Sequence, residues 1–323
     1  MYTTFELQEM IEKAISEIEY PPHPNNLYEP IAYIMNLGGK RLRPALVLIA
    51  ADLFNGSIEE AMPAALAIET FHNFTLIHDD IMDNAPLRRG KQTVHEKWGT
   101  NNAILSGDVM MVESNKQLTK VKLDVLKPVL DTFNATAQGV CEGQQLDMEF
   151  EVRHDVGIEE YIEMIRLKTA VLVGGAMKIG AIVGGATTEQ ADLIYDFGEN
   201  LGIAFQLQDD ILDVYGDPEK FGKQIGGDII ANKKTYLLLK LQELAHRDDL
   251  NALAEHALNT TALPDKIDNI TALYDEYSVK ELATEQMRQY LDKAFLALDN
   301  IKVPETQKKE LVALANALMH RES

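Results

Sequence analysis

The chain carries a single cysteine, Cys141, in 323 residues. That excludes an internal disulfide and suits a reducing compartment, so a cytoplasmic protein is expected. Met1-Tyr2-Thr3-Thr4-Phe5-Glu6 lacks the basic-then-apolar pattern of a secretory signal. Long apolar runs are missing too: the most apolar stretch, Ala170 to Ala186, is broken by Lys178 and several glycines and falls short of the roughly 20 residues a spanning helix needs. Basic residues are in deficit, with 30 Lys and Arg against 51 Asp and Glu and a formal net charge of −21. A nucleic-acid partner, which draws affinity from clustered Lys and Arg, is thereby disfavoured. A small phosphorylated ligand is not, because a local group of cations can hold it while the outer surface stays acidic. Strand signals are scarce as well.

What is present is apolar residues at three- and four-residue spacing, as from Leu237 to Leu244 and from Leu291 to Leu298. With 46% apolar and 25% charged residues, the chain reads as an all-α globular protein, a single domain over 1–323. Turns are expected at Tyr20 to Pro24, Gly38-Gly39, Asn84 to Pro86, Asp155 to Gly157, Gly184-Gly185 and Gly216 to Pro218, none of them a linker. No fixed-period repeat is visible.

The chain is organised around Asp79-Asp80-Ile81-Met82-Asp83, which returns as Asp209-Asp210-Ile211-Leu212-Asp213 between the apolar Ile203 to Gln208 and Val214-Tyr215. On a helix the first and fifth residues of each motif project from one face a turn apart, with the second on the shoulder. One such motif reads as a solvated acidic face. Two on apolar helices predict one shared site. Three carboxylates within a turn repel, so a partly buried copy needs protons, basic partners or cations. Hard carboxylate oxygens suit magnesium, which keeps several waters and takes one or two carboxylates plus substrate phosphates.

Cations and small polar groups accompany the motifs. Gly38-Gly39-Lys40-Arg41-Leu42-Arg43-Pro44 reads either as an anion-binding loop or as a solvated basic turn before an apolar helix over 45–54. In the helix leading into the first motif, His72 and Thr75 fall on the carboxylate face of an ideal wheel, with Phe71, Phe74 and His78 round one flank. Arg88-Arg89-Gly90-Lys91 follows, either to bind phosphate or to balance the aspartates. Gly107-Asp108 is read as opening another helix, and the polar stretch Glu113 to Lys127 as a solvated face or subunit contact. Gly143 to Asp147 supplies polar groups among apolar ones. Lys168-Thr169 precedes a glycine-rich helix whose small residues either allow close approach or leave space for an apolar ligand. Phe221 to Asp228 reads as a glycine-hinged loop carrying Lys223, and Asn232-Lys233-Lys234-Thr235 opens the next helix. The final third, Leu241 to Ser323, reads as scaffold.

Taken in order, these pieces resemble the all-trans isoprenyl diphosphate synthases, or polyprenyl synthetases. The resemblance implies an isoprenoid-synthase helical bundle with a central apolar cavity, usually a homodimer. It implies condensation of isopentenyl diphosphate, head to tail, onto an allylic diphosphate: dimethylallyl, geranyl or farnesyl. By position, Asp79, Asp83 and Asp209 would ligate three Mg²⁺ ions, with Mn²⁺ as a substitute, supported by Asp80, Asp210 and Asp213. Arg88, Lys168, Lys223 and Lys233 would hold the allylic diphosphate. Gly39, Lys40, Arg43, His72 and Arg89 would hold isopentenyl diphosphate. Thr169 and Gln206 would lie near the developing carbocation. Phe74 and Phe71, five and eight residues before Asp79, and the small Thr75 would set chain length, C20 being preferred to C15. A longer-chain synthase, a class I terpene cyclase and a non-catalytic synthase subunit are the alternatives. A cyclase gives Lys40, Arg43 and Arg89 no diphosphate to bind, and a non-catalytic subunit usually lacks one of the two motifs.

Overall fold

The three- and four-residue apolar spacing resolves, in a computed structural model that describes residues 2–216, 226–246, 250 and 263–319, into a chain of helices. They are α1 Thr4–Ser16, α2 Asn25–Met35, α3 Leu42–Leu53, α4 Ile58–Met82, α5 Val94–Trp98, α6 Thr100–Leu118, α7 Leu123–Val152 and α8 Ile158–Ile165. A π-helical turn, Arg166–Ala170, leads to α9 Val171–Val183 and α10 Thr188–Tyr215. Then come α11 Gly227–Ile230, α12 Tyr236–Leu244, α13 Leu263–Glu276, α14 Val279–Asn300 and α15 Glu305–Met319. None of the described helices is long and apolar enough to cross a membrane.

Local signals explain several boundaries. Thr3 and Glu6 close a capping box at the start of α1. Ser57 and Thr235 accept backbone N–H groups at the starts of α4 and α12. The apolar helix expected from residue 45 begins earlier, at Leu42, after Arg41 takes a left-handed conformation with φ 44°. The helix expected to open at Gly107 instead begins at Thr100, and Gly107 lies buried within it. A hairpin that the spacing did not reveal joins Leu87–Arg88 to Lys91–Gln92. Its two turn residues, Arg89 and Gly90, have φ of 52° and 72°, the left-handed pair that a tight hairpin requires. The polar stretch expected at Glu113 to Lys127 forms exposed ion pairs, Lys116–Glu113 at 2.7 Å and Lys122–Glu60 at 2.8 Å.

The described residues form two compact units. One draws on Met1–Asn134, Ala176–Ile194 and Lys302–Leu311, the other on Ala135–Gly175, Tyr195–Ile301 and Val312–Ser323. In the first, α4 packs against α3 and α6. It is apolar nearly all round, burying Ala61, Ala64, Ala65, Ala67, Ile68, Phe71 and Ile77, as a central helix must. The small residues of α9 do allow close approach: a Cβ on Gly180 would stand 2.0 Å from the carbonyl oxygen of Val47 on α3. In the second unit the core gathers Phe150, Tyr161, Met164, Leu207, Tyr236, Leu239, Ile270 and Tyr274.

Candidate active site

Both aspartate motifs lie at helix C-termini. Asp79 and Asp80 sit in the last turn of α4 with Asp83 as its C-cap, and Asp209 to Asp213 fall in the last two turns of α10. Neither last turn holds a basic residue. The macrodipole places partial negative charge at this end, so each cluster is penalised twice and attracts cations. Within each motif burial then divides the work.

In the first unit, Asp80 is buried and accepts from Arg88 Nε at 2.9 and 2.8 Å, with Nη2 at 2.7 Å. Arg88 reaches Asp79 only at 3.6 Å. The guanidinium expected to hold diphosphate is thus already engaged by Asp80, because a buried carboxylate has to be paired. Asp79 is half-buried and Asp83 exposed.

The glycine loop is tied down by Arg41. Its buried guanidinium donates to Glu12 at 2.8 Å, to buried Glu69 at 2.5 Å and to the Met35 carbonyl at 2.6 Å. Arg43 Nη1 lies 3.1 Å from His72 Nε2. Guanidinium only donates, so Nε2 accepts and the imidazole proton sits on Nδ1. Burial first, and then Arg43 and Arg89, hold the His72 pKa well below its usual value, so the ring is neutral. Arg43 Nε is buried with no hydrogen-bond partner among the described residues. Arg89 donates to the Gly38 carbonyl and fills the space beside Gly39, where a Cβ would stand 2.8 Å from its Cζ. Lys40 is exposed, its carbonyl accepting from Gln8. Thr75 donates to the His72 carbonyl at 2.8 Å. Phe74 is half-buried, whereas Phe71 is fully buried and packs against Phe74 and Phe133.

The second unit holds a cavity of about 710 Å³ whose wall includes Asp147, Lys168, Thr169, Gln206, Asp210, Asp228 and Lys233. The π-helical turn, a feature common at functional sites, carries Lys168 and Thr169. Lys168 bonds Asp147 at 2.5 Å; Thr169 reaches Gln206 at 3.4 Å, which in turn reaches Asp210 at 3.4 Å. Asp210 is buried and accepts from the Tyr161 hydroxyl. Burial pushes its pKa up to about 7, against the lowering effect of that hydrogen bond. Asp213 accepts from the Asp228 backbone N–H at 2.9 Å, fixing the entry to α11. Asp209 is half-buried. Lys223 lies outside the described residues.

Two polar partners, Tyr161 and Glu69, escaped the sequence reading, and a third was seen only in part. Tyr161 and Glu69 are single polar residues in amphipathic or apolar helices, with nothing in their spacing to mark them. Asp147 was visible only as one of several polar groups. Among the described residues no three His, Cys, Asp or Glu side chains converge as a ready metal cage. Taken by itself, each cluster still fits magnesium. Asp80 and Asp210 are buried and hydrogen-bonded, Asp79, Asp83 and Asp209 are more open, and this ion completes its shell with water and phosphate.

Residues 24–274 match the family described as Polyprenyl synthetase. The chain belongs to the polyprenyl synthetase family. As a member it is a prenyltransferase, a trans-isoprenyl diphosphate synthase. It is 40% identical to a geranylgeranyl diphosphate synthase of Methanosarcina mazei over 78% of each chain. It is 37% identical to a geranylfarnesyl diphosphate synthase of Natronomonas pharaonis, over 74% of this chain and 75% of that one. A crystal structure of a geranylgeranyl pyrophosphate synthase matches with a TM-score of 0.94 and 42% identity over 100% of both chains.

Proposed function

We propose that this polyprenyl synthetase condenses isopentenyl diphosphate with an allylic diphosphate to make a C20 prenyl diphosphate, the whole chain acting as one catalytic domain. The observation that carries this reading is the placement of both aspartate clusters at helix ends that lack any basic residue. The negative end of each helix dipole favours added cations there, and a diphosphate brings metal with it. Asp79, Asp83 and Asp209 would hold Mg²⁺, three ions in all, whose charge stabilises the departing diphosphate. Asp80, Asp210 and Asp213 hold the surrounding protein in place.

Ionisation of the allylic substrate also calls for fixed positive charge and exclusion of water. Lys168 and Lys233, with Lys223 and the exposed edge of Arg88, would hold the allylic diphosphate. Arg43, Lys40 and Arg89, beside neutral His72 and Gly39, would hold that of isopentenyl diphosphate, and the unsatisfied Arg43 Nε supports an anion site there. Thr169 and Gln206 would stabilise the cation through their oxygens. Phe74, with small Thr75 nearby, would floor the tail pocket. The first test is incubation with Mg²⁺, isopentenyl diphosphate and farnesyl diphosphate, followed by sizing of products. C20 alone is the expected result; cyclised hydrocarbons or no product would defeat the reading. A C25 product is the second reading, favoured by the geranylfarnesyl-type relative.

The partner is proposed to be a second copy of the chain. On α6, Ile104, Leu105 and Val112 are 40, 55 and 57% exposed along one face. Leu105→Glu is expected to convert a dimer into a monomer in sedimentation velocity, and an unchanged mass would place the contact elsewhere. The single cysteine supports action in the cytoplasm.

A further inference from the structure

His78 directly precedes the first aspartate cluster yet has no part in the chemistry above. Its ring is nevertheless wedged between two helices. Nε2 lies 3.2 Å from the Ile104 carbonyl on α6; a carbonyl only accepts, so Nε2 carries the proton and donates. Beneath the ring, α6 presents Gly107, where a Cβ would stand 2.4 Å from Nε2 and 2.7 Å from Cδ2. No side chain but hydrogen fits that notch, which accounts for a glycine in the middle of α6 despite its cost to helix stability.

The ring also meets Phe74, one turn back on α4, with centroids 4.7 Å apart and planes at 64°. Phe74 leans in turn on Phe71 at 5.6 Å, and Phe71 on Phe133 of α7 at 5.3 Å. Phe71 and Phe133 are fully buried, so the lower end of this stack cannot move without disturbing the core. Phe74 is only half-buried and would otherwise be free to change rotamer. His78 supplies the upper brace.

We propose that His78, seated in the Gly107 notch, is a positioning residue that fixes the Phe74 ring and thereby sets the length of the prenyl product. This rests on Phe74 being the floor of the tail pocket. The brace acts through ring packing and is anchored by the hydrogen bond to α6. Removing either the ring or the notch releases the floor.

The test sizes the products of Phe74→Ala, His78→Ala, His78→Phe, Gly107→Ala and the Phe74→Ala/His78→Ala double variant, each checked for helix content by circular dichroism. Phe74→Ala is expected to lengthen the product. His78→Ala should raise the ratio of products longer than the wild-type one by about tenfold, the lower end of what a change in pocket size discriminates, with KM for isopentenyl diphosphate unchanged. His78→Phe, which keeps a ring against Phe74, should restore most of the wild-type distribution. The double variant should make products no longer than Phe74→Ala alone. If Phe74→Ala lengthens the product while folded His78→Ala keeps the wild-type distribution, the brace is overturned and the floor survives. Additive lengthening in the double variant overturns it also. No change with Phe74→Ala removes the floor, and the proposal with it. His78→Ala introduces no clash, so the outcome does not depend on Gly107→Ala folding.

Discussion

Asp209→Ala is expected to lower kcat by about a hundred- to a thousand-fold with the helical fold retained, because one preorganised electrostatic contact to developing charge is worth roughly that much. Asp209 is half-buried, whereas Asp210 beside it is buried and bonded to Tyr161 and Gln206. The two neighbours should therefore fail differently. Asp209→Ala should lose turnover at unchanged circular dichroism, and Asp210→Ala should lose thermal stability because the Tyr161 hydroxyl is left without its acceptor. Turnover by Asp209→Ala within tenfold of wild type would remove the metal-binding role from this residue.

The second large effect is on stability. Arg41→Met leaves the Glu69 carboxylate, only 3% exposed, without its cation. Breaking a buried pair by deleting one partner costs about 3–5 kcal/mol, so a marked fall in the denaturant midpoint is expected. Arg41→Met/Glu69→Leu should recover much of that loss, since a buried pair replaced by apolar residues of similar volume is often neutral. A single variant as stable as wild type would show that water reaches Glu69 and that the pair contributes little.

The all-α class and the two motifs were legible because they rest on period and repetition, which a sequence displays directly. The division of labour inside each motif was not. Spacing puts Asp79 and Asp83 on one face and Asp80 beside them, but which of these is buried depends on Arg88 arriving from a hairpin two residues long per strand. Gly107 shows the same limit: a glycine reads as a helix start until the ring of His78, distant in sequence, explains its position. The π-helical turn at Arg166–Ala170 is likewise invisible, since its residues continue an ordinary helical pattern. Arg41 and Arg43 look alike in sequence. One is locked to Glu12 and Glu69, the other faces His72, and only partners on α1 and α4 tell them apart.

If the loop holds diphosphate as proposed, those partners also give the first helix a part in chemistry it never touches. α1 contributes Glu12 to Arg41 and Gln8 to the Lys40 carbonyl, so it steadies the loop from both sides. A fusion or deletion that pulls α1 away would be felt as weaker capture of isopentenyl diphosphate, leaving the allylic half of the reaction largely untouched.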